Sequence, residues 1–83
     1  MSIELLKEGF NLLLDFLDAK KNKKLSEQEL ELIKKEFDFI IEHCETSLLN
    51  DKLEKLKKEI IANGRITSLA IGELEYIKEK ADL

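Results

Sequence analysis

The 83-residue sequence has no proline, only three glycines and a single cysteine. An all-β chain needs frequent turn residues, so their scarcity argues against one, and the abundant Leu, Lys and Glu favour helix. The lone cysteine, Cys44, excludes an internal disulfide and fits a reducing, cytoplasmic setting. Long apolar runs are missing as well. Stretches such as Leu12 to Leu14 fall far short of the roughly 20 residues that a membrane span requires. Acidic residues interrupt the first turns, and no cleavage pattern follows, so no signal peptide is expected. Cations are not in excess: 14 Lys and Arg against 18 Asp and Glu leave a net charge of -4. No DNA or RNA polymer and no membrane surface is therefore an expected partner of the chain as a whole, although net charge does not describe a pocket.

What is present is periodic. With 43% hydrophobic and 39% charged residues, the chain is too apolar and too regular to be disordered. One helical domain over residues 1–83 is expected, near the lower size limit for a core that folds alone. From about Ser2 to Asp18, Ile3, Leu6, Phe10, Leu13 and Leu17 recur by three and four, and Leu5, Leu12 and Phe16 make a second row with Gly9 as a small step. After the polar link Ala19 to Lys24, Ser26 and Glu29 form a capping box, and a second helix runs to about Cys44. Its main stripe is Leu30, Ile33, Phe37, Ile40 and Cys44, with Leu32 and Phe39 beside it. A third helix, capped by Thr46 or Ser47, buries Leu49, Leu53, Leu56 and Ile60, keeps Lys52, Lys55, Lys57 and Lys58 wet, and stops at Asn63-Gly64. Arg65, Ile66 and Thr67 form a turn. A last helix starts at Thr67 or Ser68 and turns Ile71, Leu74 and Ile77 inward. The sequence thus predicts an all-α fold of three to four helices that ends in an antiparallel helical hairpin around Gly64. The surplus apolar rows of the first two helices predict an oligomer.

Metal and catalytic chemistry find little support. The first link has the outline of an EF-hand loop, with Asp18, Asn22, Leu25, Ser26 and Glu29 at positions one, five, eight, nine and twelve. Lys20 stands where an oxygen ligand belongs and Lys23 replaces the turn glycine, so a capped interhelical turn without calcium is expected. The lysines of this link, Lys20 to Lys24, form a solvated loop or a basic rim for an anion. His43 and Cys44 diverge by about 100 degrees on a helix and cannot chelate one metal well. An exposed His43 beside a small core Cys44 is expected. No cofactor is expected, and no enzyme, because nucleophile–base spacings, glycine-rich phosphate loops and metalloprotease motifs are missing.

The most informative stretch runs from Asn63 to Tyr76. It places Arg65 and two hydroxyls, Thr67 and Ser68, at the start of a helix. Free backbone amides and the positive end of the dipole favour an anion there. The planar fork of Arg65 suits two phosphate oxygens. A plain helix cap with a surface arginine is the competing reading of these residues.

Residues 47–80 resemble the helical hairpin of phage anti-CBASS cyclic-nucleotide sponges, shared with anti-Thoeris sponges. The shared elements are Arg65, then Ser68-Leu69-Ala70, then Leu74-Glu75, preceded by a Leu53-Leu56-Ile60-Ile61 arm. The chain departs from that family at Ala62-Asn63, where many members have prolines, and at Gly72, where many carry threonine. The resemblance implies a phage protein that binds cyclic di- or trinucleotides, or cyclic ADP-ribose-type signals, in the cytoplasm of an infected bacterium without cutting them. It also implies a homo-oligomer, often a hexamer, with ligands between subunits and Arg65, Ser68 and Thr67 as ligand contacts. The alternative is a helical interaction module or phage regulator with no nucleotide ligand.

Overall fold

In the computed structural model, residues 3–44 and 46–81 are described, and among them the chain is all-helical. Helix α1 spans Ile3–Ala19, α2 Glu27–His43, α3 Ser47–Asn63 and α4 Ser68–Lys80. Ser2 and Glu45, where the first helix and the second break are expected, lie outside the described residues.

The stripes read from the sequence are the buried faces except where they begin: Ile3, expected inward on α1, is exposed, and Leu30 of α2 is only partly buried. Leu6, Phe10, Leu13 and Leu17 of α1, Ile33, Phe37 and Ile40 of α2, Leu49, Leu53, Leu56 and Ile60 of α3, and Ile71, Leu74 and Ile77 of α4 form one core. Each helix packs on two others: α1 on α2 and α4, and α3 on α2 and α4. The radius of gyration, 11.8 Å, is the roughly 12 Å of a globular chain of this length, so the two helix pairs share one body. Gly9 sits where α1 meets α2, with the Phe39 ring 3.3 Å from the place a Cβ would occupy. No helix among the described residues is long and apolar enough to cross a membrane.

The helix ends follow local chemistry. Ser26 Oγ accepts from the Glu29 amide at 3.1 Å, and Glu29 Oε1 accepts from the Ser26 amide at 2.9 Å, completing the capping box. At Cys44 the chain becomes extended without glycine or proline, and Asn50 Nδ2 donates to the Cys44 carbonyl at 2.9 Å. The expected cap of α3 is not formed: Thr46 takes the N-cap position without a side-chain bond, and Ser47 is already the first helical residue. Gly64 ends α3 at φ +65° and donates its amide to the Ile60 carbonyl. A side chain in this left-handed conformation costs about 1–2 kcal/mol. Gly64→Ala is therefore expected to lose about 1 kcal/mol in urea unfolding, although a Cβ there meets no atom within 4 Å. An unchanged midpoint would show that the turn relaxes into another cap.

Further sequence expectations need correction. His43 is half-buried rather than exposed: it stacks on Phe39 with ring centroids 4.3 Å apart, and its Nδ1 lies 2.7 Å from the Phe39 carbonyl. Lys57 is not wet. It lies against Asp38 of α2 at 2.6 Å, and that carboxylate raises its pKa. Ile66, read only as part of a turn, is fully buried, and so is nearly all of Leu25 in the first link.

Candidate functional site

Leu25 and Ile66 are the keys to the site. Each is an apolar residue within an otherwise polar connection, and burying both draws the two connections to one end of the bundle. There the backbones pair. The Asn22 amide donates to the Ile66 carbonyl and the Leu25 amide donates to the Gly64 carbonyl, both at 2.9 Å. Lys21 is bridged to Ile66, and Lys24 to Arg65. Asn22 turns the link at φ +65°, a conformation that asparagine tolerates better than most side chains. The pairing gathers the exposed Lys21, Lys23 and Lys24 on the same end as Arg65. A chain of net charge -4 thus carries a local cluster of four cations.

Lys20 is not part of that cluster. Its Nζ lies 2.8 Å from Glu29 Oε2 and ties the end of α1 to the first turn of α2. Lys20 thereby holds the very carboxylate that the twelfth position of an EF-hand loop would offer to an ion. The bond to Lys20, and then the Ser26 amide, pull the Glu29 pKa from its ordinary 4.5 down to about 2. A carboxylate depressed by folding stabilises the fold above its ordinary pKa, and that contribution fades as pH falls from 4.5 towards 2. In Lys20→Gln, the decline of melting temperature across this interval is expected to be shallower than in the parent chain. Parallel acid titrations of the two melting curves check this, and superimposable slopes would remove Lys20 from the linkage.

The three candidate residues divide between two surfaces. Thr67 is the cap of α4: its Oγ1 accepts from the Ala70 amide at 3.1 Å. Its hydroxyl proton stays available to an acceptor. Arg65 is exposed, and among the described residues no carboxylate lies within 4 Å of its guanidinium. Arg65 and Thr67 line one small hollow of about 40 Å³ beside Glu59, Asn63 and Glu73. Ser68 faces elsewhere, into a groove of about 490 Å³ between α3 and α4 that Leu56, Leu69, Gly72 and Tyr76 also line. Arg65 and Thr67 are thus brought together, and the Ser68 side chain is not placed with them.

Lys24 is the residue that sequence reasoning missed as a neighbour of Arg65. The lone apolar residue in each polar connection was the available signal. Among the described residues, no three His, Cys, Asp or Glu side chains converge as a metal site. Cys44 is buried and its thiol is free of any disulfide. No protein-family model, curated protein or solved structure gives a significant match to the chain.

Proposed function

We propose that this chain binds a small phosphate-bearing signal at the end of the bundle where its two connections pair, and withholds that signal without cutting it. The single observation that carries this reading is the pairing itself, which puts Lys24 beside Arg65 at the start of α4. Neighbouring cations on an exposed end attract an anion that carries more than one phosphate. The amides of Ser68 and Leu69 open α4, and the Thr67 hydroxyl can donate to a phosphate oxygen while its lone pair serves the cap. Glu59 and Glu73, beside Arg65, disfavour an anion that lies deep between the arms and favour one held at the tip.

The resemblance of residues 47–80 narrows the ligand class to cyclic di- or trinucleotides or cyclic ADP-ribose-type molecules. In this proposal α3 and α4 are the antiparallel arms of the sponge hairpin, copies of the chain assemble, and the action is sequestration of an immune signal in an infected bacterium. Titration calorimetry with a panel of these ligands tests it, followed by recovery of the ligand from denatured protein. The expected result is saturable micromolar or tighter binding of at least one ligand, recovered intact. Absence of heat with every ligand, or recovery of a cleaved product, overturns it.

One observation favours the second reading, a helical interaction module. Leu5 and Leu12 stand exposed beside Phe39 along the outer face of α1 and α2, and Leu32 of α2 is exposed as well. In that case nucleotides leave the melting temperature unchanged, because only a ligand of the folded state adds stability by mass action.

A further inference from the structure

We propose that two copies of the chain associate through the groove between α3 and α4, laid antiparallel so that the acidic end of each groove meets the basic end of the other. This rests on the self-association put forward above and assigns it a surface. Leu56 and Ile77 form the floor of the groove, and Leu69 and Tyr76 line it with much of their surface in solvent. Leu69 is 73% exposed, the most exposed large apolar side chain among the described residues, and it lies on a helix for which the sequence shows no second apolar row.

Gly72 gives the second observation. Glycine inside a helix weakens it by about 0.5–1 kcal/mol relative to alanine, and in exchange it lets another backbone come close. Within this chain nothing does: a Cβ at Gly72 would meet no atom within 4 Å. The open space lies in the groove itself, between Leu69 and Tyr76. A backbone pressed against Gly72 from outside accounts for the missing side chain, and a second α4 crossing there would also cover both Leu69 residues.

Charge selects the occupant. Towards the Gly64 turn the groove is flanked by Glu59 and Glu73, which also meet at the hollow beside Arg65. Away from the turn it is flanked by Lys52 and Lys55, and Lys52 and Lys80 each place Nζ 5.3 Å from the Tyr76 ring centre. A surface that is acidic at one end and basic at the other is complementary to its own copy turned by a two-fold axis, with the same patch used on both sides.

Sedimentation of the full chain, without any nucleotide, tests this with a charge exchange. Lys52→Glu/Lys55→Glu makes both ends acidic, and Glu59→Lys/Glu73→Lys makes both ends basic. Each variant alone is expected to associate at least tenfold more weakly than the parent chain. An equimolar mixture of the two is expected to associate within a few-fold of the parent, because every acidic end then finds a basic one. Circular dichroism melts establish that each variant is folded. A parent chain that stays monomeric at 100 µM overturns self-association itself, as does association that involves only another protein. Variants that associate as tightly as the parent move the interface to another face, such as that of Leu5 and Leu12. A mixture of folded variants that fails to associate overturns the antiparallel pairing. None of these outcomes depends on a ligand, so a failed nucleotide titration leaves the surface assignment standing.

Discussion

Phe37→Ala is expected to remove a large share of the stability of the fold. Phe37 is fully buried in the middle of the inward face of α2, between Ile33 and Ile40. Helix α2 packs on both α1 and α3, so a void beneath Phe37 weakens its packing on both. Removing a buried phenyl ring from a close-packed core costs about 3–5 kcal/mol, transfer and cavity together. A chain of this length has roughly 4–12 kcal/mol of stability in total. The gain in helix propensity from alanine, about 0.5 kcal/mol, offsets little of the loss. A domain of this size shifts about 4–8 °C for each kcal/mol, so the melting temperature should fall by roughly 12–40 °C. Leu12→Ala is the matched control. Leu12 is 63% exposed on α1, and its truncation should change stability by under about 0.5 kcal/mol. Circular dichroism melts at one protein concentration check both, since any assembly adds stability by mass action. Equal shifts would mean that the outer row of α1 is as closely packed as the core.

The contrast between Phe37 and Leu12 also shows where sequence periodicity is informative. A stripe at three- and four-residue spacing identifies a face that leaves water, and the inward rows of all four helices are such stripes. A second row beside the first is ambiguous in a sequence, because it can be inner, outer or marginal. Phe16 and Phe39 turn out to be half-buried at the edge of the core, whereas Leu5 and Leu12 of the same kind of row stand in solvent. Helix ends were legible where one residue has a strong local preference. Gly64 at φ +65°, the Ser26–Glu29 capping box and the Thr67 cap are all of this kind. The turn after His43 has no such residue, and its support is a distant one, the Asn50 side chain on the Cys44 carbonyl.

The candidate site was only half legible, for a related reason. Arg65 and Thr67 lie two residues apart, so their shared placement follows from local geometry. Ser68 is one residue further, but it begins a helix, and the rotation of about 100 degrees per residue carries its side chain round to the α3–α4 groove. Lys24 is more than 40 positions from Arg65 in the chain. It reaches Arg65 only because Leu25 and Ile66 are buried together, a pairing between separate connections that no single-helix periodicity contains. Lys57 was misread similarly: its helix face is polar, but Asp38 on the neighbouring helix lies opposite.

That long-range pairing sets the size of the effect expected at the site. With the best ligand from the panel, Arg65→Ala should lose about 2 kcal/mol of binding, roughly thirtyfold in affinity, because charge-assisted bonds to phosphate oxygens are the strong class of hydrogen bond. Lys24→Ala should lose about 1 kcal/mol, roughly fivefold, since a lysine offers a point charge rather than a planar fork. Neither change should move stability by more than about 0.5 kcal/mol. The bonds that hold the two connections together come from the Asn22 and Leu25 amides to the Ile66 and Gly64 carbonyls, and both substitutions leave that backbone in place. Lys20→Gln should leave affinity unchanged, because its ammonium is held by Glu29. Ser68→Ala, whose side chain faces the groove, should stay within about twofold of the parent chain if the ligand sits at the tip. Raising salt should weaken binding in the parent chain and do so less in Arg65→Ala, because fewer exposed charges remain to be screened. Calorimetric titrations of the four variants beside their melting curves decide the matter. Arg65→Ala binding as tightly as the parent would show that the paired connections serve only to close the bundle, and that Thr67 is no more than the cap of α4.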